Sequence, residues 1–259
     1  MPITQSFDPD GEEVISPYQT AHHIASFPET MIVTFQPKTF AVLLELYAVT
    51  PIADLYLEEA VDQDLPIYPG RAYTFDYRGT TLGACLSPVG APTTVAVLEK
   101  AIALGTRSFV VFGSCGALVP NVAAQGIIVP TSAYRDEGTS YHYAPASDYI
   151  SVDTADRTAE ILSELAIPHT SGKVWTTDAF FRETTTNLAK RVSEGCIAVD
   201  METSALAALA QFRHVAIHQF LYAADSLTED EWDPRILGNL PREQRARYIQ
   251  MAVEIALRL

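Results

Sequence analysis

The sequence predicts an α/β fold built on a largely parallel sheet with helices on both faces. Three observations carry this. Several strand-like runs, such as "SFVVFG" (108–113) and "CIAVDM" (196–201), are continuously apolar and do not alternate. Strands of that kind are buried on both sides, as in parallel sheets covered by helices. The runs mostly alternate with segments of helical periodicity. Glycine and proline fall at the seams, with Pro92 in a first turn and Gly105 at a stop.

In order, "MIVTF" (31–35) reads as a strand and "TFAVLLELYAV" (39–49) as a helix. "TLGACLSPV" (81–89) is a strand leading into Gly90, and "PTTVAVLEKAIALG" (92–105) a helix. The strand at 108–113 follows. "GIIVPTSA" (126–133) and "KVWTTDAF" (173–180) are strands on either side of an amphipathic helix, "DTADRTAEILSELAI" (153–167). The strand at 196–201 leads into a helix from Glu202 to Arg213. "HVAIHQFLYAAD" (214–225) is strand-like, and residues 241–259 form a last helix. Residues 1–28 read as an irregular arm rich in Pro, Gly, Ser and acids. No repeat or linker interrupts the rest, so 29–259 is read as one domain.

Composition narrows the function. Of 259 residues, 48% are hydrophobic, enough for a sizeable core. The 32 Asp+Glu against 17 Lys+Arg give a net charge of −15, which argues against nucleic acid or an anionic membrane as partner. Cys85, Cys115 and Cys196 are far apart, odd in number and set in apolar runs, as expected of reduced thiols in a cytoplasmic protein. No C-x-x-C or zinc spacing occurs, so no metal is expected. The polar, acidic N-terminus does not resemble a signal peptide. No apolar run reaches the roughly 18 residues of a membrane span.

In open α/β sheets ligands bind beyond the carboxyl ends of the strands, so the residues there are the candidates. "GSCG" (113–116) places Gly113 and Gly116 around Ser114 and Cys115. It reads as an anion nest with a hydroxyl donor, or as a tight small-residue turn. In "VDMET" (199–203), a strand running through Met201 would project Asp200 and Glu202 to one side. They then grip the neighbouring hydroxyls of a sugar, with Met201 as an apolar wall, or they stabilise a helix N-terminus. Asp225, ending an apolar run in "YAADSL", fits a desolvated general acid or a turn residue. "TTDAFFRET" (176–184) offers Phe180 and Phe181 for stacking on a flat ring, or for the core. "RDEGTSYHYAP" (135–145) reads as a lid, a subunit contact or a plain surface loop.

"VFGSCGAL", "TTDAFF", "AVDMETSAL" and "ADS", in this order and spacing, resemble the nucleoside phosphorylase superfamily. The family comprises purine nucleoside and uridine phosphorylases and methylthioadenosine/adenosylhomocysteine nucleosidases, and the resemblance runs from Met31 to the C-terminus. It implies a three-layer α/β/α sandwich with a central mixed sheet. It implies that Glu202 holds the ribose 2′ and 3′ hydroxyls, with Met201 behind the sugar and Asp200 beside it. Phe180 would stack on the base, and the implied substrate contacts extend to Val89. Ser114 and Gly113 would bind phosphate. Asp225 would protonate the leaving base, with Arg235 as its helper. The loop at 135–145 is most similar to the uridine branch and Asp225 to the purine branch. The resemblance further implies phosphate as co-substrate, no metal or organic cofactor, and a homodimer or a hexamer of dimers. An N-terminal histidine, His22 or His23, would reach a partner's site.

Two departures concern the phosphate site. The family's G-D-P-x-R loop corresponds to "TFQPKTF" (34–40), so the arginine position falls on Thr39. A second arginine position falls on Val111. Lys38 and Arg71 remain as possible cations, Arg71 as the residue lent by a neighbouring subunit, but a lysine is not a bidentate fork. Each lost charge-assisted bond costs ~1.5–3 kcal/mol. The expectation is therefore a nucleoside phosphorylase. A nucleosidase using water, or a non-catalytic nucleoside-binding relative, are the alternatives.

Overall fold

The computed structural model describes residues 2–20, 26–55, 69–227 and 231–259. His22 and His23 lie outside the described residues. In chain order the elements are α1 Pro17–Thr20, β1 Thr30–Thr34, α2 Pro37–Leu46, β2 Thr50–Asp54, β3 Arg71–Tyr77, β4 Thr80–Leu86 and α3 Ala91–Leu104. Then come β5 Ser108–Ala117, α4 Pro120–Gln125, β6 Ile127–Asp136, α5 Ser140–Tyr143, β7 Tyr149–Ser151, α6 Ala155–Glu164 and β8 Thr170–Thr177. The chain ends with α7 Thr185–Ser193, β9 Cys196–Asp200, α8 Thr203–Arg213, β10 Ala216–Leu227, β11 Trp232–Asp233 and α9 Arg242–Ala256. Short 3-10 turns stand at Ile3–Gln5 and Phe180–Arg182.

The chain divides into two compact units whose segments interleave in sequence. One holds residues 1–9, 90–92 and 112–240; the other holds 10–89, 93–111 and 241–259.

The first unit carries the candidate residues. Its strands run in the order β11–β10–β6–β8–β9–β5, with β7 also against β6. β6, β8 and β9 are mutually parallel, with Asp136 level with Thr177 and Thr176 level with Asp200. Their carboxyl ends therefore share one edge. β10 and β7 lie antiparallel to β6, β11 antiparallel to β10, and the end of β5 antiparallel to β9. Stacked Phe112 and Phe220, 5.1 Å apart, and Trp175 are fully buried here. In α8 every residue from Thr203 to Leu209 is buried. Its serine and alanines leave little side chain between helix and sheet, so the backbone can approach closely. The first residues of the arm lie on this unit, with Phe7 edge-on to Phe212 at 6.4 Å.

In the second unit β1 and β4 are parallel, Met31 level with Gly83, while β2, β3 and β4 form an antiparallel meander. The β3–β4 hairpin turns at Arg78 and Gly79, with φ of 51° and 82°, as a two-residue turn matched to strand twist requires. The sheet pairing is thus mixed. The periodicity of the sequence missed α1, β2, β3, α4, α5, β7, α7 and β11. β2 and β3 alternate polar and apolar weakly, and β7 and β11 are too short to show a period.

Candidate active site

β9 stops at Asp200, so the strand alternation that would set Asp200 and Glu202 side by side does not extend to Glu202. Asp200 turns back onto the start of α8. Its Oδ2 accepts from Glu202 N (3.1 Å), Thr203 N (2.8 Å) and Thr203 Oγ1 (2.7 Å). Its Oδ1 accepts from Thr176 Oγ1 at 2.7 Å, and Thr176 Oγ1 in turn accepts from Ser204 N at 3.1 Å. Helix N-terminal amides need such partners. Both Asp200 oxygens are committed to capping, which makes Asp200 the post on which Glu202 is mounted.

Glu202 is the N-cap residue of α8 and is buried. Its Oε1 accepts from Gly90 N at 2.6 Å, and Gly90 has φ of 106°, a conformation that favours glycine. Burial first, and the neighbouring Asp200 charge second, push the Glu202 carboxyl up to about 8. Burial pushes Asp200 up as well, but its four donors favour the charged form. The proton of the pair therefore belongs to Glu202.

The loop at 135–145 is bolted down. Buried Arg135 donates from Nε to Ser140 Oγ (2.8 Å) and from Nη1 to Pro145 O (2.6 Å), and lies 4.1 Å over the Tyr141 ring. Buried Glu137 accepts from Ser204 Oγ (2.9 Å) and Ser140 N (3.0 Å), tying the loop to the first turn of α8. Asp178 Oδ2 accepts from Gly138 N at 3.1 Å, and burial raises its carboxyl. Asp178 also bears on Glu202.

After β8, Phe180 and Phe181 pack ring to ring at 4.0 Å, and both are exposed. Neither is core. Met201 is half-buried.

The "GSCG" stretch differs from the turn the sequence suggested. Residues 113–116 lie within β5, and neither Gly113 nor Gly116 has a positive φ, so no nest of the expected kind forms there. Gly116 is needed for close approach instead. A β-carbon there would run into Leu227 Cδ1 and stand 3.0 Å from Val199 Cγ1 and 3.6 Å from Asp225 Oδ1. Ser114 is half-buried. Cys115 is buried between the charges of Asp200 and Asp225, so the ends of β5, β9 and β10 converge on it.

Asp225 sits near the end of β10. Its Oδ2 accepts from Trp232 Nε1 at 2.8 Å, and burial raises its carboxyl against that bond and the nearby Arg235. Arg235 itself is exposed, with φ of 39°.

The remaining candidates belong to the second unit. Lys38 is exposed in the first turn of α2, and Arg71 Nε pairs with Asp54 Oδ1 of its own chain at 3.3 Å. Val89 is exposed. Thr39 is buried and accepts from Arg245 Nη1 at 2.8 Å, while Val111 is buried and apolar.

Two site residues escaped the sequence reading. Trp232 stands alone among acids, with only "EWD" as a signal. Glu137 was visible only as one acid in a polar loop. Among the described residues no cluster of three or more His, Cys, Asp or Glu is placed to hold a metal, and no helix is long and apolar enough to cross a membrane.

Comparison with known proteins identifies the family and the fold. A family model described as the phosphorylase superfamily matches residues 30–258. The DeoD-type purine nucleoside phosphorylase of Limosilactobacillus reuteri (strain DSM 20016) is 25% identical over 214 residues, covering 80% of this chain and 86% of its own. That of Bacillus thuringiensis (strain Al Hakam) is 25% identical over 218 residues, covering 80% and 88%. The crystal structure of uridine phosphorylase from Vibrio fischeri ES114 superposes with a TM-score of 0.71 at 20% identity, over 90% of this chain and 94% of that one. This likeness shows the fold.

Proposed function

The chain belongs to the phosphorylase superfamily, and we propose that within it this protein is a nucleoside phosphorylase. It would cleave the N-glycosidic bond of a purine nucleoside or uridine with phosphate, giving free base and (deoxy)ribose 1-phosphate. The observation that carries the reading is the Glu202 carboxyl, mounted on Asp200 at the head of α8 and fixed by Gly90 N. A carboxyl so fixed can take a diol without reorganising, which is how preorganised polar groups lower a barrier.

Cleavage passes through a sugar with cationic character. The site then has to grip the sugar, neutralise the leaving base and present an anion. Glu202 supplies the grip and Asp225 the proton. The exposed face of Phe180 suits the base, and Met201 suits the sugar. Ser114 and Gly113 are the phosphate contacts in this reading. Arg235 tunes Asp225. Phosphate is the co-substrate, and no metal or organic cofactor is required. The acceptors are small molecules, and the net charge of −15 opposes nucleic acid and anionic membranes. A cytoplasmic homodimer or hexamer fits the three free, buried cysteines and the two exposed phenylalanines.

Hydrolysis is a second reading. It is favoured by the buried Thr39 and Val111 at both expected arginine positions and by the Asp54 partner of Arg71. One experiment separates the two. The protein is incubated with inosine, adenosine or uridine, with and without phosphate, and base release is followed. Release that requires phosphate supports phosphorolysis. Equal release without it establishes hydrolysis, and binding without release rejects both.

A further inference from the structure

Glu137 is a buried carboxylate of this site that the reaction above does not use. A carboxylate only accepts, and two donors reach this one. Ser204 Oγ donates to Oε1 at 2.9 Å and Ser140 N to Oε2 at 3.0 Å. Ser204 is the second residue of α8, two positions after Glu202. Asp200 and Thr176 hold the backbone of that first turn from the sheet, through Thr203 N and Ser204 N. Glu137 holds it from the loop, through the Ser204 side chain. The next loop residue, Gly138, donates from N to Asp178 Oδ2 at 3.1 Å, and Asp178 N donates to Asp136 O at 3.2 Å. Asp178 stands two positions before Phe180. The loop thus joins the segment that carries the stacking ring to the helix turn that carries the diol grip.

Resting on the proposed reaction, we propose that Glu137 is a positioning residue. Acting through Ser204, it sets the Glu202 carboxyl in a fixed register with Phe180, so that sugar and base are held together as one unit. Groups that bind a substrate act best when their own supports are locked by hydrogen bonds. Glutamine can replace Glu137 in this role. Its oxygen accepts from Ser140 N, and its NH2 turns to Ser204, whose hydroxyl accepts as well as donates. Alanine serves neither partner.

The test measures inosine binding by isothermal titration calorimetry in Ser204→Ala, Glu137→Ala and Glu137→Gln, each alone and combined with Glu202→Ala. Ser204→Ala cuts the link to α8 and leaves the Glu137 bond to Ser140 in place, so it serves if Glu137→Ala does not fold. The expected inosine Kd is about fivefold higher in Ser204→Ala and Glu137→Ala and close to wild type in Glu137→Gln. Neither alanine should weaken binding further when Glu202→Ala is already present. A general loss of structure would weaken binding by the same factor in both backgrounds. That result, or a wild-type Kd in Ser204→Ala, overturns the proposal. Failure of the functional reading looks different: wild type itself then releases no base. Hydrogen exchange of the Gly90 N–H, which reports its bond to Glu202 Oε1, is therefore followed by NMR in the ligand-free protein as well. Faster exchange in Ser204→Ala supports the role of Glu137, and unchanged exchange refutes it.

Discussion

The backbone N–H of Gly90 donates to Glu202 Oε1 at 2.6 Å, across 112 residues of sequence. Burial and the neighbouring Asp200 charge, acting against that bond, set a pH dependence. The Glu202 carboxyl lies at about 8 in the folded chain against about 4.3 when unfolded. Between those values the native state holds the extra proton. Its contribution to stability is complete below about 4.3 and is lost as pH rises through 8. Glu202→Gln cannot ionise, so its melting temperature should gain on wild type by ~3 °C or more between pH 5 and 8.5. Thermal melts by circular dichroism at both pH values check this, and parallel curves would show that Glu202 is already ionised. Glu202→Ala should raise the KM for nucleosides at least about tenfold, the equivalent of one lost good hydrogen bond.

Asp200 is predicted to act through α8. Removing its carboxyl in Asp200→Ala leaves the buried amides of Glu202 and Thr203 without a partner, at a cost of ~3 kcal/mol. Asp200→Asn keeps one acceptor oxygen for them and should cost about half as much. Urea denaturation of the two variants reads the difference. Equal losses would mean that charge, and not the capping geometry, is what matters.

The strands that carry the site were legible within a few residues of their ends: β5 and β9 as continuously apolar runs, β6, β8 and β10 through shorter apolar stretches such as "IIV", "VW" and "FLYAA". The pairing of acids in "VDMET" was legible as chemistry but not as geometry. Its outcome depends on where β9 stops, and a one-residue difference sends Asp200 to the helix and leaves Glu202 for the ligand. "GSCG" misled for a related reason. Glycine serves both turns and close approaches, and only the position of Leu227 and Val199 decides between them. Trp232 acts through a contact with Asp225 that is made by folding alone, so no local pattern announces it.

Gly116 therefore offers a direct test of the close approach. Gly116→Ala would place a methyl against Leu227 and Val199, both fixed by strand pairing or burial. Overpacking of this kind costs ~1–3 kcal/mol. Neither Gly113 nor Gly116 has a positive φ, so the cost expected at Gly116 is one of space and not of backbone freedom. The expected melting temperature of Gly116→Ala is at least ~2 °C below wild type. A variant as stable as wild type would show that β5 shifts to make room.

Asp225 and Trp232 should separate the proton from its positioning. Asp225→Asn keeps the acceptor for the indole and removes the acid, so kcat for a purine nucleoside should fall by ~10²-fold or more. Uridine should suffer less, because its base has no imidazole nitrogen to receive the proton. Trp232→Phe keeps an aromatic ring and removes only the donor. The freed Oδ2 no longer has a partner that favours the carboxylate, so the Asp225 carboxyl should rise further and the pH–kcat profile should move to higher pH. Steady-state kinetics of both variants on inosine and uridine, at several pH values, read all three outcomes. If Asp225→Asn turns over inosine like wild type, the proton reaches the base by another route. Asp225 then serves only to anchor the β10–β11 return through Trp232.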